Sequence, residues 1–312
     1  MTTEAQHRKR EALGMWLGLL GVAIFALTLP MTRLATGTVD HPQLSPWFIT
    51  FARAALAGGL SVAFLALTRS PRPTRSQLKP LAWATLGNCL GFPVLLGFAL
   101  RHVPSGHAAV FTALLPLTTA AMAAWVLHQR ARLGFWLFAG LGASLVVGFA
   151  WIRATQHAQG FALEWADLAL IGAIISAAIG YVYGAQITPT LGAERVICWV
   201  CVLALPVTVP GTLLTWPDTP APVSAWLALL YVGVFSMWAG FFAWYRGLAI
   251  GGALKVSQVQ LVQPFISILA AVPLLGEPLE TMTLGFTLAV VATVFAGKRF
   301  AAGSPSPRAA LT

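Results

Sequence analysis

The chain has 312 residues and a net charge of +10; 58% of its residues are hydrophobic and only 9% are charged, with a mean hydropathy of +0.78. A soluble domain is roughly a quarter charged, so this composition excludes a soluble enzyme or a nucleic-acid-binding domain, whose surface could not expose so much hydrocarbon to water. A spanning helix takes about 20 residues plus a connection, so the length holds about ten spans and no separate soluble domain.

In chain order, apolar runs fall at 14–34, 46–67, 79–100, 105–127, 133–151, 166–186, 194–215, 223–246, 253–275 and 281–299. The expectation is an all-α integral membrane protein of ten helices. Residues 1–13 and 300–312 are read as cytoplasmic tails, and 14–151 and 166–299 as two five-helix halves. The first run follows His7, Arg8, Lys9 and Arg10, but it is too long for a signal peptide and is read as helix one. Lys and Arg in the connections set the direction. With both termini inside, the cytoplasmic side takes Arg8, Lys9, Arg10, Arg69, Arg72, Arg75, Lys79, Arg130, Arg132, Arg195, Arg246, Lys255, Lys298, Arg299 and Arg308. The outside keeps Arg101 and Arg153. The positive charge is thus a topology signal and does not point to nucleic-acid binding. The acids Asp40, Glu164, Asp167, Asp218, Glu277 and Glu280 fall outside, and none falls near mid-membrane.

Residues 81–131 can be laid without a gap on 229–279. Trp83 then meets Tyr231, Asn88 meets Ser236, Thr112 meets Gln260, Pro116 meets Pro264, and Thr119 meets Ser267. Five helices per half is an odd number, so the second half must cross the membrane inverted, the plan of secondary transporters with a site near mid-membrane between the repeats.

A proline inside a helix removes one hydrogen bond and frees a carbonyl four residues earlier. Pro116 is therefore expected to release the carbonyl of Thr112, and Pro264 that of Gln260. Thr112, Pro116 and Thr119 share one helix face, as do Gln260, Pro264 and Ser267, with Gln263 close by. Such a face looks either into a solute pathway or at another helix. Asn88 and Ser236 are expected at the same depth, where an amide suits a carboxylate or amino group. The twelve tryptophans include Trp238, which with Tyr183 is a candidate for stacking on a solute, whereas Trp83 and Trp244 are assigned to the interface or to packing. Arg53 lies well inside helix two and either snorkels to the outer face or contacts an anion. His107 and Lys255 occupy matching repeat positions and are expected at opposite cavity mouths. Cys198 and Cys201 form C-x-x-C on a presumed helix; neither a metal nor a redox role is assigned to them, and no cofactor is expected. Gly285, Ala289 and Thr293 form a small-residue ridge suited to helix packing or a dimer seam, so the protein is read as a monomer or a homodimer whose partners are a small solute and membrane lipid.

Several segments resemble the EamA-like ten-helix transporters of the drug/metabolite transporter superfamily: residues 24–33 (IFALTLPMTR), 51–53 (FAR), 99–101 (ALR), 244–248 (WYRGL) and 274–279 (LLGEPL). The resemblance covers most of the chain. It implies alternating-access transport of small metabolites, amino acids among them, across the bacterial inner membrane, with export favoured. It also implies that helices three, four, eight and nine line the pathway and that five and ten serve as scaffold. Two positions depart from the family: its helix-one tryptophan is Phe25 here, and the glutamate that often precedes the helix-nine proline is Gln263. Without that carboxylate the expectation is uniport or exchange rather than tight proton antiport. The alternatives are proton-coupled transport of other drugs or metabolites, a passive channel, and an integral-membrane enzyme acting on a lipid-linked substrate.

Overall fold

The computed structural model describes residues 3–126, 132–156, 165–251 and 256–298. Among them regular structure is helical, apart from one isolated bridge between Gly37 and Pro42. Eight helices are long and apolar enough to cross a membrane, and Val259–Leu275 and Thr281–Gly297 are shorter apolar helices.

We number the segments α1 to α10. The first, α1, comprises Thr3–Ala26 and Thr28–Thr36, and α2 is Pro46–Leu67. α3 runs through Arg75–Thr85, a π-helical stretch Leu86–Gly91, and Phe92–His102. α4 is Ser105–Thr112 followed by Leu115–Val126, α5 is Leu133–Gln156, α6 is Trp165–Leu191, and α7 is Ala193–Leu214. α8 joins Val223–Leu230, a π-helical stretch Tyr231–Ala239, and Gly240–Gly251. α9 starts as a 3-10 helix, Ser257–Val262, and continues as Gln263–Leu275; α10 is Thr281–Lys298.

The interruptions have local chemical causes. Pro30 cannot donate to the carbonyl of Ala26, and α1 breaks at Leu27. Pro116 and Pro264 both occupy the second position of the helix that follows a break, where a proline loses nothing because that N–H has no partner. In α3 the N–H of Phe92 reaches back five residues to Gly87, and Pro93 supplies no donor to continue. π turns of this kind concentrate at functional sites. α3 and α8 carry them at equivalent positions of the 81–131 and 229–279 alignment, as α4 and α9 carry their breaks.

Packing follows one scheme. α1 lies along α8, α3 along α6, α2 along α7, and α5 along α10. Exchanging the first five segments for the last five maps α1–α8 onto α6–α3 and maps the other two pairs onto themselves. Close approach relies on missing side chains: Gly247 meets the backbone of Gly14 and Gly18 across α1–α8, and Gly87 meets Ser176 and Gly180 across α3–α6. On the α10 ridge Thr293 is buried beside Gly142 of α5, while Gly285 faces open space.

The two ends of the bundle differ. At one, Arg33 donates to the carbonyls of Leu100 and Val103 at the C-terminus of α3, the second bond at 2.8 Å. Arg101 reaches the carbonyls of Thr36 and Leu44. Glu277 accepts from the N–H of Ser105 (2.8 Å), the hydroxyl of Ser105 (2.9 Å) and the N–H of Gly106 (3.1 Å), capping the first turn of α4 with a carboxylate. Arg153 pairs with Glu280 at 2.5 Å. At the opposite end Gln77 donates to Thr190 at 2.9 Å.

Candidate functional site

The breaks of α4 and α9 meet at the centre of the bundle. Thr112, Ala113 and Pro116 from one and Gln260, Gln263 and Pro264 from the other line a common cleft. The expected release of the Gln260 carbonyl does not occur: the N–H of Gln263 takes it in a 3-10 bond, because tightening the turn satisfies what the proline would have orphaned.

Two cavities adjoin this cleft. The smaller, of about 50 Å³, is walled by Thr28, Arg53, Asn88, Ser236, Thr112 and Gln263 together with Phe92 and Met237. The larger, of about 330 Å³, extends away from the Glu277 end past Thr119, Ala123, Ala185, Trp244 and Tyr245. Phe25, Leu115, Tyr181 and Phe241 border both. Polar groups thus cluster at the junction of the breaks, and aromatic ones lead away from it.

The polar wall is ordered by a short relay. Thr28, the first residue after the α1 break, shares a 2.7 Å hydrogen bond with Ser236 in the π stretch of α8. Ser236 also accepts from Arg53 Nη2 at 3.4 Å. Tyr231 donates to the Ile24 carbonyl beside the same α1 break at 3.0 Å. Asn88, in the π stretch of α3, lies against Gly180 of α6, where any Cβ would run into its carboxamide. Phe25 makes an edge contact with Phe241, ring centroids 4.9 Å apart.

The structure brings together Asn88, Thr112, Thr119, Ser236, Gln260, Gln263, Pro116, Pro264 and Arg53, all of which border the connected cavities. Other expected residues lie elsewhere. Tyr183 stacks on Trp83 at 6.0 Å, and Trp83 is 42% exposed; Tyr181, about 200° away around the helix, faces the cavity instead. Trp238 packs on Phe242 and Phe64 outside the cavity lining. Ser267 is buried on α9 beyond the cleft. Trp244, assigned above to interface or packing, is buried and walls the larger cavity. Arg53 does not snorkel: it is 3% exposed, and its Nη2 is turned onto the hydroxyl of Ser236 in α8.

His107 is not at a mouth. It is 5% exposed, packed on Phe111 and Phe149, and its Nε2 lies 2.7 Å from Asp167 Oδ1. Asp167 is 3% exposed, so the pair braces α4 against the first turn of α6 inside an apolar cluster. Asp167→Asn is expected to weaken this bond and cost about 1–2 kcal/mol, read as a lower melting temperature in detergent, with solute binding retained. Lys255, its repeat partner, lies outside the described residues. Besides helices three, four, eight and nine, the cavities take residues from α1, α2 and α6; α5 adds none and α10 only Val291.

The EamA-like transporter family matches this chain twice, over residues 12–151 and 164–296. The chain belongs to that family, within the drug/metabolite transporter superfamily. The uncharacterized transporter YdeK of Bacillus subtilis is 39% identical over 289 residues, spanning 92% of this chain and 97% of that one. The uncharacterized inner membrane transporter YedA of Escherichia coli K12 is 29% identical over 265 residues, 81% of this chain and 82% of that one. A probable terminal-alkyne amino-acid exporter of Streptantibioticus cattleyicolor is 26% identical over 298 residues, 91% and 93% of the two chains. A solved structure superposes with a TM-score of 0.61 at 20% identity, covering 97% of this chain and 100% of the other, and so shares the fold. The protein is therefore a membrane transporter and not an enzyme, a multi-pass protein of the bacterial inner membrane.

Proposed function

We propose that this chain is a ten-span secondary carrier that exports small organic metabolites, amino acids foremost, by alternating access between two inverted five-helix repeats whose termini are cytoplasmic. One observation carries the reading: helix interruptions at equivalent positions of the two halves converge on one cavity, with polar side chains at the junction. Irregular backbone at membrane depth is tolerated only where it is buried in protein or lines a cavity, and transporters place their sites at such discontinuities. The pairings that exchange onto themselves, α2–α7 and α5–α10, fit a rocking of one half against the other. With basic residues inside, the 330 Å³ cavity lies on the cytoplasmic side and the Glu277 latch closes the outer one, an inward-facing arrangement.

Amino-acid export is supported by the relative named as an amino-acid exporter and by the aromatic and amide lining. Uniport or exchange is supported by a lining that, among the described residues, carries no carboxylate. The functional unit is a monomer or a homodimer.

Counterflow in proteoliposomes tests the reading. Vesicles loaded with an unlabelled amino acid are expected to accumulate a labelled trace of it saturably and without a pH gradient. Gln260→Ala and Asn88→Ala are expected to lower that uptake at least severalfold while leaving the protein folded. Accumulation driven by a pH gradient alone would overturn the uncoupled mechanism, and linear, unselective flux would indicate a channel.

A further inference from the structure

Arg53 is a buried charge that the packing leaves incompletely partnered. The residue is 3% exposed, and among the described residues Nη2 donates to the hydroxyl of Ser236 at 3.4 Å. Nε and Nη1 are buried without a hydrogen-bond partner. A guanidinium offers five N–H donors and stays protonated. A charge held in a membrane interior is ordinarily paired. No acidic residue among the described ones shares the cavities that Arg53 borders. The missing partner has to be brought in.

We propose that Arg53 anchors the carboxylate of the transported solute, so that this carrier accepts small organic monocarboxylates with an apolar, preferably aromatic, body, whether or not they carry an amino group. This rests on the carrier reading above and specifies its substrate class. The chamber at Arg53, about 50 Å³, exceeds the roughly 10–15 Å³ that one water needs and admits a head group. Asn88 and Gln263 line the same chamber and offer amide donors. The body continues between Tyr181 and Phe241 into the 330 Å³ cavity, whose wall includes Trp244 and Tyr245. One cation matches one negative charge: a phosphate dianion leaves a charge uncompensated, and an ammonium alone is repelled. Arg suits the task because its planar fork binds a carboxylate through two parallel bonds.

Three probes share a phenyl ring and differ in the head: phenylalanine, 3-phenylpropionate and phenethylamine. Equilibrium binding to the purified full-length protein is expected for the first two, with the amine at least tenfold weaker. Arg53→Met weakens both carboxylates at least tenfold and abolishes the preference over the amine, whereas Arg53→Lys retains the preference at reduced affinity. The melting temperature of Arg53→Met stays at or above that of the parent, because an unpaired buried charge has been removed. A structural clamp would lower it. The proposal falls if phenethylamine binds as well as the carboxylates, or if Arg53→Met leaves binding unchanged. It falls equally if Arg53→Met unfolds while Arg53→Lys binds no carboxylate. Should none of the three bind, the proposal is again overturned, but counterflow of any other solute leaves the carrier reading standing. Absence of all counterflow by the folded protein removes both.

Discussion

Glu277→Ala is expected to lower the melting temperature by several degrees and to open the bundle at the end that Glu277 holds. The carboxylate accepts three hydrogen bonds from Ser105 and Gly106, at 2.8, 2.9 and 3.1 Å. Hydrogen bonds to a charged group contribute about 1.5–3 kcal/mol each, and partial replacement by water at an end of the bundle brings the total loss to about 2–4 kcal/mol. The bonds join the loop after α9 to the start of α4, so they connect the two halves, and in the alternating-access cycle proposed above they are made only while that end is closed. A loss of about 2 kcal/mol from one conformation alone shifts the balance between two conformations roughly thirtyfold. The check is a cysteine at Leu29, which borders the smaller cavity, probed with a membrane-impermeant maleimide from the outer side of intact cells. Little labelling is expected in the parent and rapid labelling with Glu277→Ala. Ser105→Ala removes one of the three bonds and should show a smaller change. Equal labelling of all three proteins would remove Glu277 from the closing contacts.

The parts of this design that were legible in the sequence are those set by local chemistry. Proline acts on its own helix, so Pro116 and Pro264 marked the α4 and α9 breaks, and the gapless alignment placed Asn88 opposite Ser236. The alignment could not show that both residues sit in π turns, since the Phe92 to Gly87 bond depends on backbone geometry that glycines permit but do not dictate. Helix phase was harder. α6 is apolar on all sides, so periodicity gave no reason to prefer Tyr181 to Tyr183. Partners distant in sequence were invisible: nothing in the His107 neighbourhood pointed to Asp167, and the LLGEPL segment identified Glu277 without revealing that it caps α4. Arg53 was recognisable as deep, but only its burial and its contact with Ser236, distant in sequence, showed that it does not reach the surface.

Gly180→Ala separates the cost of packing from the cost to function. A methyl group there meets Oδ1, Cγ and Nδ2 of Asn88, the end of one side chain, so the amide must swing off its position. Overpacking of this kind costs about 1–3 kcal/mol, while replacing glycine by alanine inside a helix returns about 1 kcal/mol. The net change is at most about 2 kcal/mol, which leaves the protein folded. Solute affinity is expected to suffer more visibly, since withdrawing a hydrogen bond worth about 0.5–1.5 kcal/mol weakens binding roughly twofold to tenfold. Asn88→Ala alone should give the same loss of affinity by deleting the amide. In the double variant the clash has no second partner, so stability is expected to recover by about 1 kcal/mol with no further loss of affinity, a coupling that a double-mutant cycle measures directly. Additive losses of affinity would show that Gly180 acts on the solute by a route other than Asn88, and an Asn88→Ala variant that binds as the parent does would take the amide out of the binding wall.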